Sequence, residues 1–387
     1  MPIENKSLAL YIHWPFCQSK CPYCDFNSHV SARIDHALWC EAYLRELDHY
    51  ASVLPDKRIT SVFFGGGTPS LMEVSTVETI LQKIAKHWNL SSDSEITLEA
   101  NPTSAEANKF AAFRAAGINR LSLGVQSLHD EALKFLGRAH DVAQARRAVG
   151  WAEKYFPRFS FDLIYARKGQ TLESWMLELR EALAMAGDHL SLYQLTIEPN
   201  TQFNTLAQRG ELLTASDDNA AAMYEITQEL LSEAGLPAYE ISNHARKGQE
   251  SRHNLTYWRY DDYIGIGPGA HGRYLSGDGK RLATEDHLAP DVWLTHVKKH
   301  GHGLRLQDVL DQKTAKREAI MMGLRLTEGI IHEDWQQKFS SALEDSLPSE
   351  KLTRLKQEGY LTHNAKTLKA TAMGLQRLNA ILKYLEV

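Results

Sequence analysis

Cysteine is scarce in this chain: four in 387 residues, too few for a disulfide scaffold. No stretch of 18 residues lacks a charged side chain, which excludes a membrane-spanning helix. The amino terminus, MPIENKSLALYIHWPF, has no basic region ahead of a long apolar core. No signal peptide is expected there, so the chain is expected to be cytoplasmic, with at most peripheral membrane contact. Neither sign of charge dominates. Forty-three basic against 48 acidic residues leave a net charge of -5, and no general nucleic-acid footprint follows. Gly and Pro, at 24 and 12, are too few for a collagen-like or low-complexity chain. What remains is a soluble globular composition, 43% hydrophobic and 24% charged, with length for two or three domains.

What is present in the first half is alternation. Short β-rich runs recur at Leu8–Trp14, Thr60–Phe64, Glu95–Glu99, Arg120–Val125, Ser160–Tyr165 and His189–Ile197. Helical patterns lie between them. After Ile34, the residues Ala37, Cys40, Leu44, Leu47, Ala51 and Leu54 fall at spacings of three and four, one apolar helix face. Cys40 sits on that stripe and reads as a packing residue. Six such units predict an α/β chain with a parallel sheet, either an incomplete (β/α) barrel or a doubly wound sheet. Either architecture places ligands at the C-terminal ends of the strands. After Pro199 the pattern changes. A helix is predicted over Ala220–Ala234, then a Gly- and aromatic-rich stretch over Tyr239–Tyr274. From about Gln312 the chain reads as helices around a short strand, a winged-helix-like end. Its basic residues alternate with Glu344, Asp345, Glu350 and Glu358, which argues against nucleic acid.

Three of the four cysteines fall within eight positions, Cys17, Cys21 and Cys24, just after a predicted strand. Three thiolates on one loop can ligate three irons of a [4Fe–4S] cluster and leave the fourth iron open. The competing reading is zinc, with His13 or His29 as a fourth ligand.

The residues around these cysteines, YIHWPFCxxxCPYCDFNSH, resemble the cluster loop of the radical S-adenosylmethionine (SAM) superfamily. The resemblance is to the branch holding oxygen-independent coproporphyrinogen III oxidases and HemW-type haem chaperones. It continues through GGGTPS (Gly65–Ser70), LEANP (Leu98–Pro102), NRLSLGVQS (Asn119–Ser127), LGRAH, FDLIYA, YQLTIEPNT and GIGPGAHG. It implies an incomplete (β/α)6 radical-SAM barrel over residues 1–240 and a segment 241–311. A smaller α+β, helical, winged-helix-like C-terminal domain over 312–387 would follow. It also implies a [4Fe–4S] cluster on Cys17, Cys21 and Cys24, whose free iron binds SAM and whose electron cleaves it. Tyr11, Gly66 and Glu99 would serve that SAM. Gly67, Thr68, Gln126, Arg138 and Asp162 would line a neighbouring pocket. Taken singly, Gln126 and Asp162 would be surface or capping residues and Arg138 an ion-pair residue. Two departures separate the chain from the oxidase pattern: Phe26 where that pattern has a further cysteine, and Ala166-Arg167-Lys168 where it has Gly-Leu-Pro.

His253-Asn254-Leu-Thr-Tyr257-Trp258 is a second candidate site. An imidazole can ligate haem iron and flat rings can pack on a porphyrin, although a capped, packed turn is the plainer reading. The resemblance implies haem binding for this HNxxYW segment, and places His271 of GAHG toward the SAM side of the cleft. The function expected is a haem chaperone that passes haem to an acceptor protein, soluble or membrane-bound, and that takes electrons from a reducing donor. Coproporphyrinogen oxidase activity is expected to be absent. The alternatives are a SAM-dependent porphyrinogen decarboxylase and a zinc-stabilised binding module.

Overall fold

A computed structural model of the chain describes residues 6–31 and 33–387. Met1–Asn5, part of the segment over which no signal peptide is expected, lie outside the described residues. Six strands form a continuous parallel array: β1 (Ser7–Trp14), β2 (Arg58–Gly66), β3 (Asn89–Ala100), β4 (Arg120–Gln126), β5 (Arg158–Tyr165) and β6 (His189–Gln194). All six runs predicted from composition lie on these strands, apart from the last three residues of His189–Ile197. The crossovers carry α1 (His36–Val53), α2 (Val74–His87), α3 (Val142–Tyr155), α4 (Leu172–Met185) and, after β6, α5 (Asp217–Glu233). This is the incomplete (β/α)6 barrel. No helix of the described residues is long and apolar enough to cross a membrane.

Strand alternation decides which side chains meet which solvent. On β3, Ile96, Leu98 and Ala100 join the apolar layer under the helices, while Glu95, Thr97 and Glu99 occupy the alternate positions. On β4, Leu121, Leu123 and Val125 pack outward, and Ser122, Gly124 and Gln126 face a cavity. On β5, Phe161, Leu163 and Tyr165 pack outward and Asp162 faces the cavity. A polar lumen inside an apolar shell is therefore written into each strand.

Residues 241–311 are not a separate unit. Asn243–Ala245 (β7) pairs antiparallel with β6 at one edge of the sheet. At the other edge, Tyr263–Ile266 (β8) lies parallel to β1 and is followed by an antiparallel run, His271–Leu275 (β9), Arg281–Asp286 (β10) and Leu304–Val309 (β11). Eleven strands of the described residues thus share one sheet. Between β7 and β8, the helix Arg252–Trp258 (α6) inserts beneath the barrel, and Pro290–His300 (α7) packs on α1. Residues after 312 build their own core around Ile320, Leu324, Trp335, Leu352, Leu368 and Ile381. There four helices, Gln312–Gly323, His332–Phe339, Ser349–Gln357 and Leu378–Leu385, surround a three-stranded sheet of Ile330–Ile331, Thr367–Ala370 and Leu361–His363.

The apolar stripe predicted for α1 is displaced. Leu47 and Leu54 are buried, but Ala37 is exposed and Cys40, Leu44 and Ala51 are half-buried. The buried face runs through Trp39, Tyr43, Glu46 and Tyr50. Aromatic bulk wins the interior, and Cys40 sits at the margin rather than in the core.

Candidate functional site

The cysteine loop leaves the C-terminal end of β1 and is pinned on three sides. Phe16–Cys17 pairs with His29–Val30. The Asn27 side chain donates to the carbonyls of Pro268 and Leu288, both at 2.9 Å, and its own carbonyl meets His13 Nε2 at 2.9 Å. Pro22 carbonyl accepts from Phe203 N at 2.9 Å. The GGG run closes the third side. Gly67 N donates to Trp14 O at 2.7 Å and Thr68 N to Phe16 O at 2.8 Å. A Cβ on Gly67 would lie 2.7 Å from Phe16 O, and Gly66 has φ +112. These glycines are needed first for a close approach of backbone to the loop's own backbone.

The loop opens on a cavity of about 430 Å³, within the size range of small-molecule sites. Cys17, Cys21, Cys24, Gly66, Gly67, Thr68, Glu99, Gln126, Arg138 and Asp162 all line it. The structure thus brings together ten of the eleven residues expected of the cluster and SAM. Tyr11 is the exception. It lies three residues, about 10 Å, below the end of β1. There it bonds His13 Nδ1 through its hydroxyl at 3.1 Å, stacks on Phe63, and does not line the cavity. It packs in the lumen below the cavity. His271 is exposed at the start of β9 and is also absent from the cavity wall.

The polar groups of the cavity are wired to the thiols. Thr68 Oγ1 donates to Cys17 Sγ at 3.4 Å, and Arg138 Nη1 to Cys21 Sγ at 3.3 Å. Arg138 also reaches Gly124 O at 2.8 Å and the Asn101 amide oxygen. Burial pushes the Cys17 and Cys24 thiols up from their ordinary pKa. Burial, with Asp162 nearby, raises Glu99 to about 8, and burial raises Asp162 to about 6. Glu99 still accepts from Gly66 N at 3.3 Å, while Asp162 Oδ1 is buried with no partner. Gln126 holds φ +71, a left-handed conformation costly for a side chain with a Cβ, at the cavity rim. Two carboxyls short of donors, beside an Arg and an open thiol loop, suit a ligand carrying an ammonium and hydroxyls. Asn101, Tyr23 and Tyr193 also line the cavity. Reasoning from sequence passed over them although each lies inside a recognised motif: LEANP, CPYC and YQLTIEPNT.

The three thiols fit a cluster better than a single ion. The only trio of His, Cys, Asp or Glu in the described residues whose ligand atoms converge within 4.8 Å lies in the C-terminal domain, not here. Both proposed fourth ligands are engaged elsewhere, His13 as above and His29 Nε2 with Asn27 Oδ1 at 3.1 Å. A cluster offers each thiolate its own iron and needs no such convergence.

The HNxxYW segment is placed differently from its expectation. His253 is 1% exposed, with Nδ1 bonded to Ser61 Oγ at 2.9 Å and Nε2 to Tyr257 OH at 2.7 Å. Burial holds its pKa down to about 3, so the ring is neutral. Its backbone N–H reaches Glu95, which pairs with Arg158 at 2.5 Å, closing the barrel floor. Asn254 Nδ2 lies 3.4 Å from Tyr239 OH. Trp258 stacks under the Arg325 guanidinium at 4.7 Å and borders a cleft of only about 40 Å³. His253 is therefore no axial ligand in this arrangement: both ring nitrogens are spent on the floor of the barrel. The capped, packed turn is what the structure shows.

A three-thiol loop at the mouth of a parallel half-barrel, facing a glycine-edged strand end, is the arrangement of a radical SAM protein. Residues 11–182 match the Radical SAM superfamily and residues 310–377 the HemN C-terminal domain. The chain is 38% identical to the heme chaperone HemW of Escherichia coli over 98% of both chains. It is 40% identical to the mitochondrial radical S-adenosyl methionine domain-containing protein 1 of Bos taurus, over 98% of this chain and 87% of that one. The chain belongs to the radical SAM family that holds these two proteins. Its fold overlays coproporphyrinogen III oxidase (HemN) from Escherichia coli with a TM-score of 0.83 at 22% identity, covering 100% of this chain and 91% of that one. At that identity the likeness is one of fold alone.

Proposed function

We propose that the chain is a haem chaperone: it binds haem and passes it to an acceptor protein. Its barrel carries a [4Fe–4S] cluster on Cys17, Cys21 and Cys24, with SAM in the adjoining cavity. The observation that supports this most is end-to-end similarity to a heme chaperone, with the HemN C-terminal domain included. When bound, the cluster and SAM together supply one-electron chemistry. The chain's own contributions are positional. Glu99 and Asp162 offer acceptors to an ammonium and hydroxyls, Arg138 bonds one ligating sulfur, and the GGG edge holds the loop to the strand ends.

The decarboxylase alternative is disfavoured by the chain's two departures. Phe26, at the position of the oxidase cysteine, is 57% exposed. Arg167, in place of the Gly-Leu-Pro segment, is buried and makes a 2.6 Å ion pair with Glu178, which also accepts from Ser127 and Leu128. A buried charged pair therefore fills the turn after β5. Haem titration and coproporphyrinogen III turnover by anaerobically reconstituted protein test both readings. A saturable Soret shift at about one haem per chain, with no porphyrinogen consumed, is the expected result. SAM-dependent release of carbon dioxide from coproporphyrinogen would replace the chaperone with the decarboxylase.

A further inference from the structure

The C-terminal domain contains a constellation that none of the barrel chemistry uses. His332 begins the helix His332–Phe339, Glu344 lies in the short turn Glu344–Ser346, and His363 ends the strand Leu361–His363. Three separate elements of the domain converge there. His363 Nε2 lies 2.9 Å from Glu344 Oε1, and His332 Nδ1 lies 3.9 Å from the same oxygen. The two imidazole centroids are 5.1 Å apart and inclined at 51°. All three donor atoms fall within 4.8 Å of one another, a convergence not repeated elsewhere in the described residues.

We propose that His332, Glu344 and His363 form a binding site for a divalent transition-metal ion of the zinc class. Two imidazoles and one carboxylate are the donor set that Zn²⁺ takes in three-ligand sites, with a fourth position left to water. Donors about 2.0 to 2.1 Å from a tetrahedral ion stand roughly 3.3 Å apart, so shifts of an ångström or so in the side chains complete the geometry. Partial exposure of the side chains, 22%, 46% and 16% in chain order, leaves a path for the ion and for that water. His332 supplies a second sign. Its Nε2 is buried without a hydrogen-bond partner, and Nδ1 has only the long approach to Glu344. Nδ1 faces the carboxylate with no hydrogen bond of its own, the position an ion would take, whereas Nε2 points away from the trio and is not a ligand. Bound there, the ion ties the hairpin Leu361–Ala370 to the first turn of His332–Phe339, and its role is to fix the C-terminal domain rather than to act in the barrel.

Zinc chloride added to full-length, cluster-loaded protein tests this. The cluster occupies the three thiols, which would otherwise compete for the metal. After desalting, the wild type should retain one more zinc per chain than His332→Ala or His363→Ala, and zinc should raise its thermal midpoint but not theirs. Glu344→Gln, at an exposed position, should fold as the wild type does, checked by circular dichroism, and should weaken zinc binding at least about tenfold. His296→Ala controls for the separate run of surface histidines His287, His296, His300 and His302, and should match the wild type. Cobalt substituted for zinc should show tetrahedral visible bands without thiolate charge transfer. Equal zinc content and equal midpoint shift in the wild type, Glu344→Gln and His363→Ala would overturn the proposal.

Discussion

At the scale of single residues, burial converts ordinary side chains into committed ones. Glu99 is the clearest case. Its pKa of about 8 keeps much of it protonated at neutral pH, an odd state for a residue meant to receive an ammonium group. A bound ammonium would favour the carboxylate and drive the proton off. SAM binding between pH 6 and 7 should therefore release close to one proton per chain, falling to about half a proton near pH 8. Calorimetry in buffers of different ionisation enthalpy would measure it, and Glu99→Gln should abolish the release and weaken binding. Buffer-independent heats in the wild type would show that Glu99 is not the acceptor. His253 illustrates the opposite commitment. Its replacement by Ala removes a buried ring and strands Ser61 and Tyr257, a cost of about 2 to 4 kcal/mol. The denaturation midpoint should fall, while haem stoichiometry and spectrum stay those of the wild type. A lost Soret shift in a folded His253→Ala protein would return the imidazole to the haem site.

At the scale of elements, the strands were legible because each carries its own two-residue alternation, apolar toward the helices and polar toward the lumen. The cysteine spacing and the strand-end motifs were legible because they are local in sequence. What was not legible is what depends on register and depth. Tyr11 and Cys17 are close in sequence, yet a rise of about 3.3 Å per residue puts them at different levels of the barrel. Likewise HNxxYW carries the residues of a ligand site, but nothing in the hexapeptide tells whether its helix faces outward or plugs the floor. The α1 stripe misled because it counted Leu and Ala and discounted Trp39, Tyr43 and Tyr50, whose larger area dominates burial. The cysteine loop yields a prediction at this scale. Gly67→Ala removes no iron ligand, but it places a Cβ against Phe16 O, next to Cys17, and should displace the loop. Iron retention after reconstitution should drop as it does for Cys17→Ala, whereas Cys40→Ala should retain a full cluster. A Gly67→Ala protein with normal iron content would show that the loop is held without that contact.

At the scale of the whole molecule, the extension Tyr263–Val309 matters as much as the barrel it lies against, and buried charge is what fastens it. Glu46 on α1 accepts from Gly267 N at 2.9 Å, from Gly303 N at 2.5 Å and from Trp293 Nε1 at 3.2 Å. One carboxylate thus holds the turn after β8, the approach to β11 and the helix α7. Asp286, at the end of β10, is buried beside it, and burial raises both acids: Glu46 to about 7, with Asp286 well above its ordinary range. Two like charges this close share a proton. The folded protein therefore keeps protons that the unfolded chain gives up above about pH 4, so stability falls as pH rises from there through about 7. Asp286→Asn removes one charge while preserving shape, and lets Glu46 ionise among its three N–H donors. Its thermal midpoint should match the wild type near pH 4 and exceed it at pH 8, and hydrogen exchange in β8 to β11 should slow at the higher pH. Parallel pH profiles for the two proteins would mean that the pair is not linked through a proton. The seam would then depend on other contacts, such as Asp262 with Arg281 at 2.7 Å.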